Sequence, residues 1–220
     1  MIVRVQILLL TVLTAWHAAG QSTHPVTGRQ IAPVMGVGGA SWLERSERDS
    51  EENPKLAIQL LGLQQGMVVA DVGAGSGYYT VMLARKVAPS GKVFASDLQP
   101  GMIELLNRRL QKEKIANVET LLATEADPKL PASSCDLILM VDVYHELSKP
   151  QEVLRRLRTA LKPDGRLVLL EFRKEDPSVP IRPEHKMSVD EVRAELEPEG
   201  LRLEKVLSDL PWQHILIFRK

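Results

Sequence analysis

Val68 to Thr80 reads VVADVGAGSGYYT: an apolar run ends in an acid, Asp71, and glycines follow at Gly73, Gly75 and Gly77. A glycine-rich turn between a strand and a helix removes side chains, so a ligand can approach the backbone near a helix N-terminus. The dinucleotide spacing G-x-G-x-x-G fits at Gly73 and Gly75 but puts Tyr78 at the third position, with Gly77 one residue early. The phosphate-loop pattern, which needs Gly-Lys before Ser or Thr, is missing. Asp71 would repel a pyrophosphate and attract a cation. Both points argue against a nicotinamide-dependent oxidoreductase.

Outward from this turn, strand and helix patterns alternate. MVVADV, KVFASD, NVETLLA, CDLILMVDV and GRLVLLEF read as strands. Between them, YYTVMLARKVA, PGMIELLNRRLQKE and QEVLRRLRTAL carry helical spacing, the last stopping at Lys162-Pro163. Asn53-Pro54 offers an N-cap and a first-turn proline for an earlier helix bearing Leu56, Leu60 and Leu61. Such alternation implies an α/β fold with a doubly wound, Rossmann-like parallel sheet. The tail breaks the rhythm: Ser188 and Glu191 have capping-box spacing, and LRLEKVLSD and QHILIFRK then read as two strands. A hairpin-like pair at the sheet's end requires at least one antiparallel strand.

Asp97 closes the second strand, where a carboxylate can accept hydrogen bonds from both ribose hydroxyls of a nucleoside. An ammonium and a sulfonium near Asp71, with a ribose near Asp97, describe S-adenosylmethionine. The motifs DVGAGSG, ASDLQPGM, DLILMVDVYHEL and LKPDGRLVLLEF, in that order, resemble the class I S-adenosylmethionine-dependent methyltransferases over residues 53–220. The resemblance implies seven strands with the last antiparallel. It also implies that Asp71 lies by the methionyl amine, that Gly73, Gly75 and Gly77 form the turn beneath the cofactor, and that Asp97 holds the ribose with Leu98 against adenine. In TEADPKLP it implies an acid near the adenine amine, best matched by Asp127, with Glu125 as the alternative. Asp142 joins this cofactor set at the end of the fourth strand.

Methyl transfer is an in-line displacement, so the enzyme mainly aligns a nucleophile and removes its proton. VDVYHEL, after the fourth strand, offers Tyr144, His145 and Glu146 as catalytic candidates. His145 is the first choice for a general base because histidine titrates near working pH; the alternative is a cap or a bond to a backbone carbonyl. Glu171 and Arg173, His185, and Trp212 with His214 mark further polar clusters for a substrate pocket. LVLLEF is similar to the C-methyltransferases of ubiquinone and menaquinone synthesis, which implies no metal. Asp142 with Glu171 is similar to metal-dependent catechol-type O-methyltransferases, but Phe172 stands where a further oxygen ligand is wanted. Arsenic methyltransferases need several cysteines, and this chain has only Cys135, read as a small buried hydrophobe.

Lys plus Arg equals Asp plus Glu at 28 each, so no net positive field draws in nucleic acid. The expected partner is a small-molecule substrate. A noncatalytic module that kept the cofactor pocket is the competing reading. Residues 1–20, MIVRVQILLLTVLTAWHAAG, read as a signal peptide cut after Gly20, with an uncleaved anchor as the alternative. A secreted or periplasmic protein follows from that reading. Residues 21–52 read as an irregular arm: VMGVGGASWLERSER can fold over the cofactor as a lid, with Arg45 or Arg48 meeting an acidic substrate, and the alternative is that SWLERSERDSEEN is a short solvated helix.

Overall fold

The computed structural model describes residues 22–220, so the leader reading lies outside the described residues. Five strands follow the expected series: β1 (Val68–Val72), β2 (Lys92–Asp97), β3 (Val118–Leu122), β4 (Cys135–Val141) and β5 (Leu161–Arg173). A two-residue strand, β6 (Lys186–Met187), pairs with the end of β5, and β7 (Arg202–Leu207) and β8 (Gln213–Arg219) complete an eight-stranded sheet. The order is β3-β2-β1-β4-β5-β8-β7, with β8 antiparallel to both neighbours. The expected seven strands are therefore present, and β6 is an addition. A two-residue strand carries no periodicity to read.

The central strands are apolar without alternation because both faces are covered. On β4, Leu137 and Leu139 face one core with α3 (Pro54–Leu60) and α4 (Tyr78–Val87). Ile138 and Met140 face the other, with α6 (Pro150–Ala160) and α7 (Val189–Leu196). The helix α5 (Pro100–Glu113) turns Leu106 and Leu110 towards Val81 and Ala95. Local signals set the helix starts: Asn53 accepts the Leu56 N–H at 3.3 Å, and Ser188 and Glu191 form the reciprocal capping box of α7. Among the described residues no helix is long and apolar enough to cross a membrane.

The arm differs from its expectation. SWLERSERDSEEN forms two four-residue helices, α1 (Ala40–Leu43) and α2 (Arg48–Glu51), instead of one solvated helix. Arg48 and Glu52 are buried and paired at 2.6 Å, and Arg45 reaches Glu52 at 2.6 Å. Both arginines are thus committed within the arm, and charge density here marks an internal ion-pair cluster. Upstream, Arg29 pairs at 2.9 Å with Glu195 of α7, which is fully buried, and His24 stands 3.3 Å from the same carboxylate. Ala32 N–H and an Arg29 guanidinium N–H each donate to the carbonyl of His145 at 3.1 Å. The arm is strapped across the carboxyl edge of the sheet.

Candidate active site

Sheet order reverses between β1 and β4, and such a switch point leaves a crevice outside the strand ends. A cavity of about 740 Å³ lies there. The glycine turn and β2 form one end, residues 142–148 and His185 form the other, and Pro33 to Met35 with Trp42, Leu43 and Arg48 cover it. Gly73, Gly75 and Gly77 all have positive φ, at 77°, 54° and 87°. A Cβ on Gly73 would collide with Val143, and one on Gly77 with Leu106. The turn therefore needs glycine for backbone shape and close packing alike.

Asp97 accepts the Gly75 N–H and the Gln99 N–H, each at 2.8 Å, which ties β2 to the turn and fixes the carboxylate at the cavity wall. Burial pushes its proton affinity above the usual carboxylate range. Leu98 lies beside it, 40% exposed, on the same wall. Asp71 is buried behind the turn, where Thr80 Oγ1 donates to it at 2.6 Å. Burial raises its pKa to about 6. Among the described residues neither acid forms a salt bridge; Asp97 lines the cavity, whereas Asp71 stands behind the lining with its carboxylate on Thr80. Asp142 adopts the left-handed backbone at φ 53° and receives a hydrogen bond from Gln213 Nε2 at 2.7 Å, while its Oδ1 is buried without a partner. Burial, then Glu52 and Glu171, push its pKa well up. These glycines, acids and the orphaned Oδ1 suit a nucleoside bearing a cationic amino-acid arm.

Asp127 stands apart. Its carboxylate closes a local turn onto Lys129 N–H at 2.8 Å and does not line the cavity, whereas Glu125 does. The two differ by one turn of irregular chain, which spacing alone does not place.

At the acceptor end, Glu171 is fully buried and receives the Tyr144 N–H at 3.0 Å on one oxygen and His145 Nδ1 at 2.6 Å on the other. His145 Nε2 lies 3.1 Å from His185 Nδ1. Glu146 lines the cavity beside them, its pKa raised to about 7 by burial. Tyr144 turns the other way into the core, with Arg29 5.4 Å from its ring. Its position between two cavity residues follows from the single 3-10 turn Tyr144–Glu146, which sends successive side chains in different directions. Both Glu171 oxygens and one Asp142 oxygen are engaged within the protein. Arg173 donates to the carbonyls of Leu210 and Gln213, and buried His214 does not line the cavity. Sequence reading missed the Glu171–His145 pair, since 26 residues separate its members; both stand at ends of adjacent strands, which was the available signal.

A family model described as a methyltransferase domain matches residues 63–208. The ubiquinone/menaquinone biosynthesis C-methyltransferase of Azotobacter vinelandii is 31% identical over 121 residues, covering 54% of this chain and 48% of the relative. The Salmonella arizonae protein of the same description is 30% identical over the same shares. The chain thus aligns with about half the length of these curated relatives. A crystal structure of a SAM dependent methyltransferase from Aquifex aeolicus superposes with a TM-score of 0.79 at 30% identity, covering 84% of this chain and 98% of that one. A putative O-methyltransferase from Nostoc punctiforme shares the fold at TM-score 0.70 and 17% identity, over 84% of this chain and 60% of that one. With the switch-point cavity, the glycine turn and the two strand-end acids, these likenesses establish that the chain belongs to the class I S-adenosylmethionine-dependent methyltransferase family.

Proposed function

We propose that this methyltransferase alkylates a small molecule bound at the His145 end of the cavity. The observation that carries the reading is the continuity of one cavity from Asp97 and the glycine turn to His145, Glu146 and His185. S-adenosylmethionine, when bound, supplies an electrophilic methyl group on a sulfonium. Asp71 and Asp142 would favour its cationic arm, Asp97 its ribose and Leu98 its base. Glu171 holds His145 in the tautomer with Nδ1 protonated, leaving Nε2 to face the cavity. His185 ends the 3-10 turn Pro183–His185, and once its side chain yields its place an acceptor hydroxyl can donate to Nε2 and pass its proton there. Met35, Trp42, Val143 and Phe172 give the acceptor apolar walls, which suits an aromatic ring. The relatives' printed activity, quinone C-methylation, makes hydroxylated aromatics the first compounds to screen.

Calorimetric titration of the full chain with S-adenosylmethionine and with its demethylated product tests the cofactor half. Mass spectrometry of a panel of hydroxylated aromatics tests transfer. Both cofactor forms should bind, and His145→Ala should lower turnover by about 10²–10⁴-fold with little change in cofactor affinity. A folded chain that binds neither form would overturn the reading. A chain that binds both and methylates nothing would favour the noncatalytic module. We also propose export, on the reading of residues 1–20; an intact N-terminus at Met1 on the mature protein, by terminal sequencing, would contradict a cleaved leader.

A further inference from the structure

We propose that His145, Glu146 and His185 form a binding site for one divalent transition-metal ion at the acceptor end of the cavity. One ligand atom from each of the three lies within 4.8 Å of the others. The two imidazoles are closer still, with Nε2 of His145 3.1 Å from Nδ1 of His185 and the rings inclined at 81°. Nitrogens bound to one metal at about 2.1 Å stand about 3.0 Å apart at a right angle and about 3.4 Å apart in tetrahedral geometry. The observed separation falls between these values. Glu146 then closes by up to about 1.4 Å to reach the spacing of a tetrahedral ion.

The surroundings match what a metal-bound histidine needs. A ligating imidazole commonly gives its other N–H to a carboxylate, which fixes the tautomer and raises basicity. Glu171 does this for His145 at 2.6 Å, and it is fully buried and held in turn by the Tyr144 N–H. In the metal-free chain the His185 Nδ1–H donates to His145 Nε2; metal binding moves that proton to His185 Nε2, leaving two lone pairs for the ion. Two imidazoles and one carboxylate suit zinc, iron or manganese better than magnesium, which prefers an all-oxygen shell. Three protein ligands leave positions open to the cavity, as in sites that act on substrate. This deepens the proposed transfer and rests on it only for the use of the metal: an acceptor hydroxyl coordinated to the ion would release its proton to solvent water, with His145 as ligand in place of base.

The test is titration of chelator-treated full chain with zinc, read by calorimetry, and with cobalt(II), read by its visible absorption. We expect one equivalent to bind. His185→Ala and Glu146→Gln should each weaken zinc at least tenfold, and Glu171→Gln about 10–100-fold, without loss of circular-dichroism signal. Folded wild-type chain that binds no zinc, or zinc affinity unchanged in both His185→Ala and Glu146→Gln, would overturn the site. Cofactor titrations on the same samples separate the two readings. Cofactor binding without zinc binding refutes the metal alone, and the converse leaves the metal standing while the transfer reading fails.

Discussion

Asp71 has two facts attached to it that together give a pH dependence. It is buried, and its pKa is raised to about 6. The folded, ligand-free chain keeps a proton that the unfolded chain has lost between 3.8 and about 6, so this residue lowers the stability of the free fold as pH rises through that window. A cationic ligand favours the ionised form, so affinity for S-adenosylmethionine should rise with pH through about 6 and level off above it. Calorimetry one pH unit either side of that value checks the sign, and Asp71→Asn should weaken binding and flatten the dependence. Flat affinity in the unmodified chain would detach Asp71 from the cofactor. Gly73→Ala meets a positive φ and Val143 at once, and should cost about 2–4 kcal/mol in urea denaturation. At this scale the sequence was informative about Asp97 and the glycines, whose spacing fixes their place. It was less so for Tyr144 and Asp127, because neighbours in a 3-10 turn or irregular loop diverge by an angle that residue type does not encode.

The arm is the element least legible in the sequence. Its Gly and Pro content announces irregular backbone, yet its order comes from side-chain pairs: distant Glu195 on α7 for Arg29 and His24, and Glu52 within the arm itself for Arg45 and Arg48. A glutamate on an amphipathic helix reads as solvated until a partner some 166 positions away covers it. By contrast, the alternating strands and helices from Val68 onward were legible except for the two-residue β6, since local periodicity and apolar burial agree there. Removing one member of a buried pair costs about 3–5 kcal/mol, so Glu195→Ala should release the arm. The arm can peel away before the sheet unfolds, so the loss should show as faster proteolysis within residues 22–52 and weaker cofactor binding, with the main unfolding transition little changed. Unchanged proteolysis would show that the strap is held elsewhere.

For the molecule as a whole, a ligand buried between the sheet edge and the arm binds only the folded chain. At a concentration one hundred times Kd it adds about 2.7 kcal/mol. For a domain of this size the midpoint should rise by about 5–11 °C, measurable by differential scanning fluorimetry. The arm's backbone bonds carry a further consequence. Ala32 and Arg29 grip the carbonyl of His145 itself, so the roof of the cavity and the posture of that histidine are one mechanical unit. Opening wide enough to exchange a cavity ligand would break the bonds that hold the His145 backbone at the same moment.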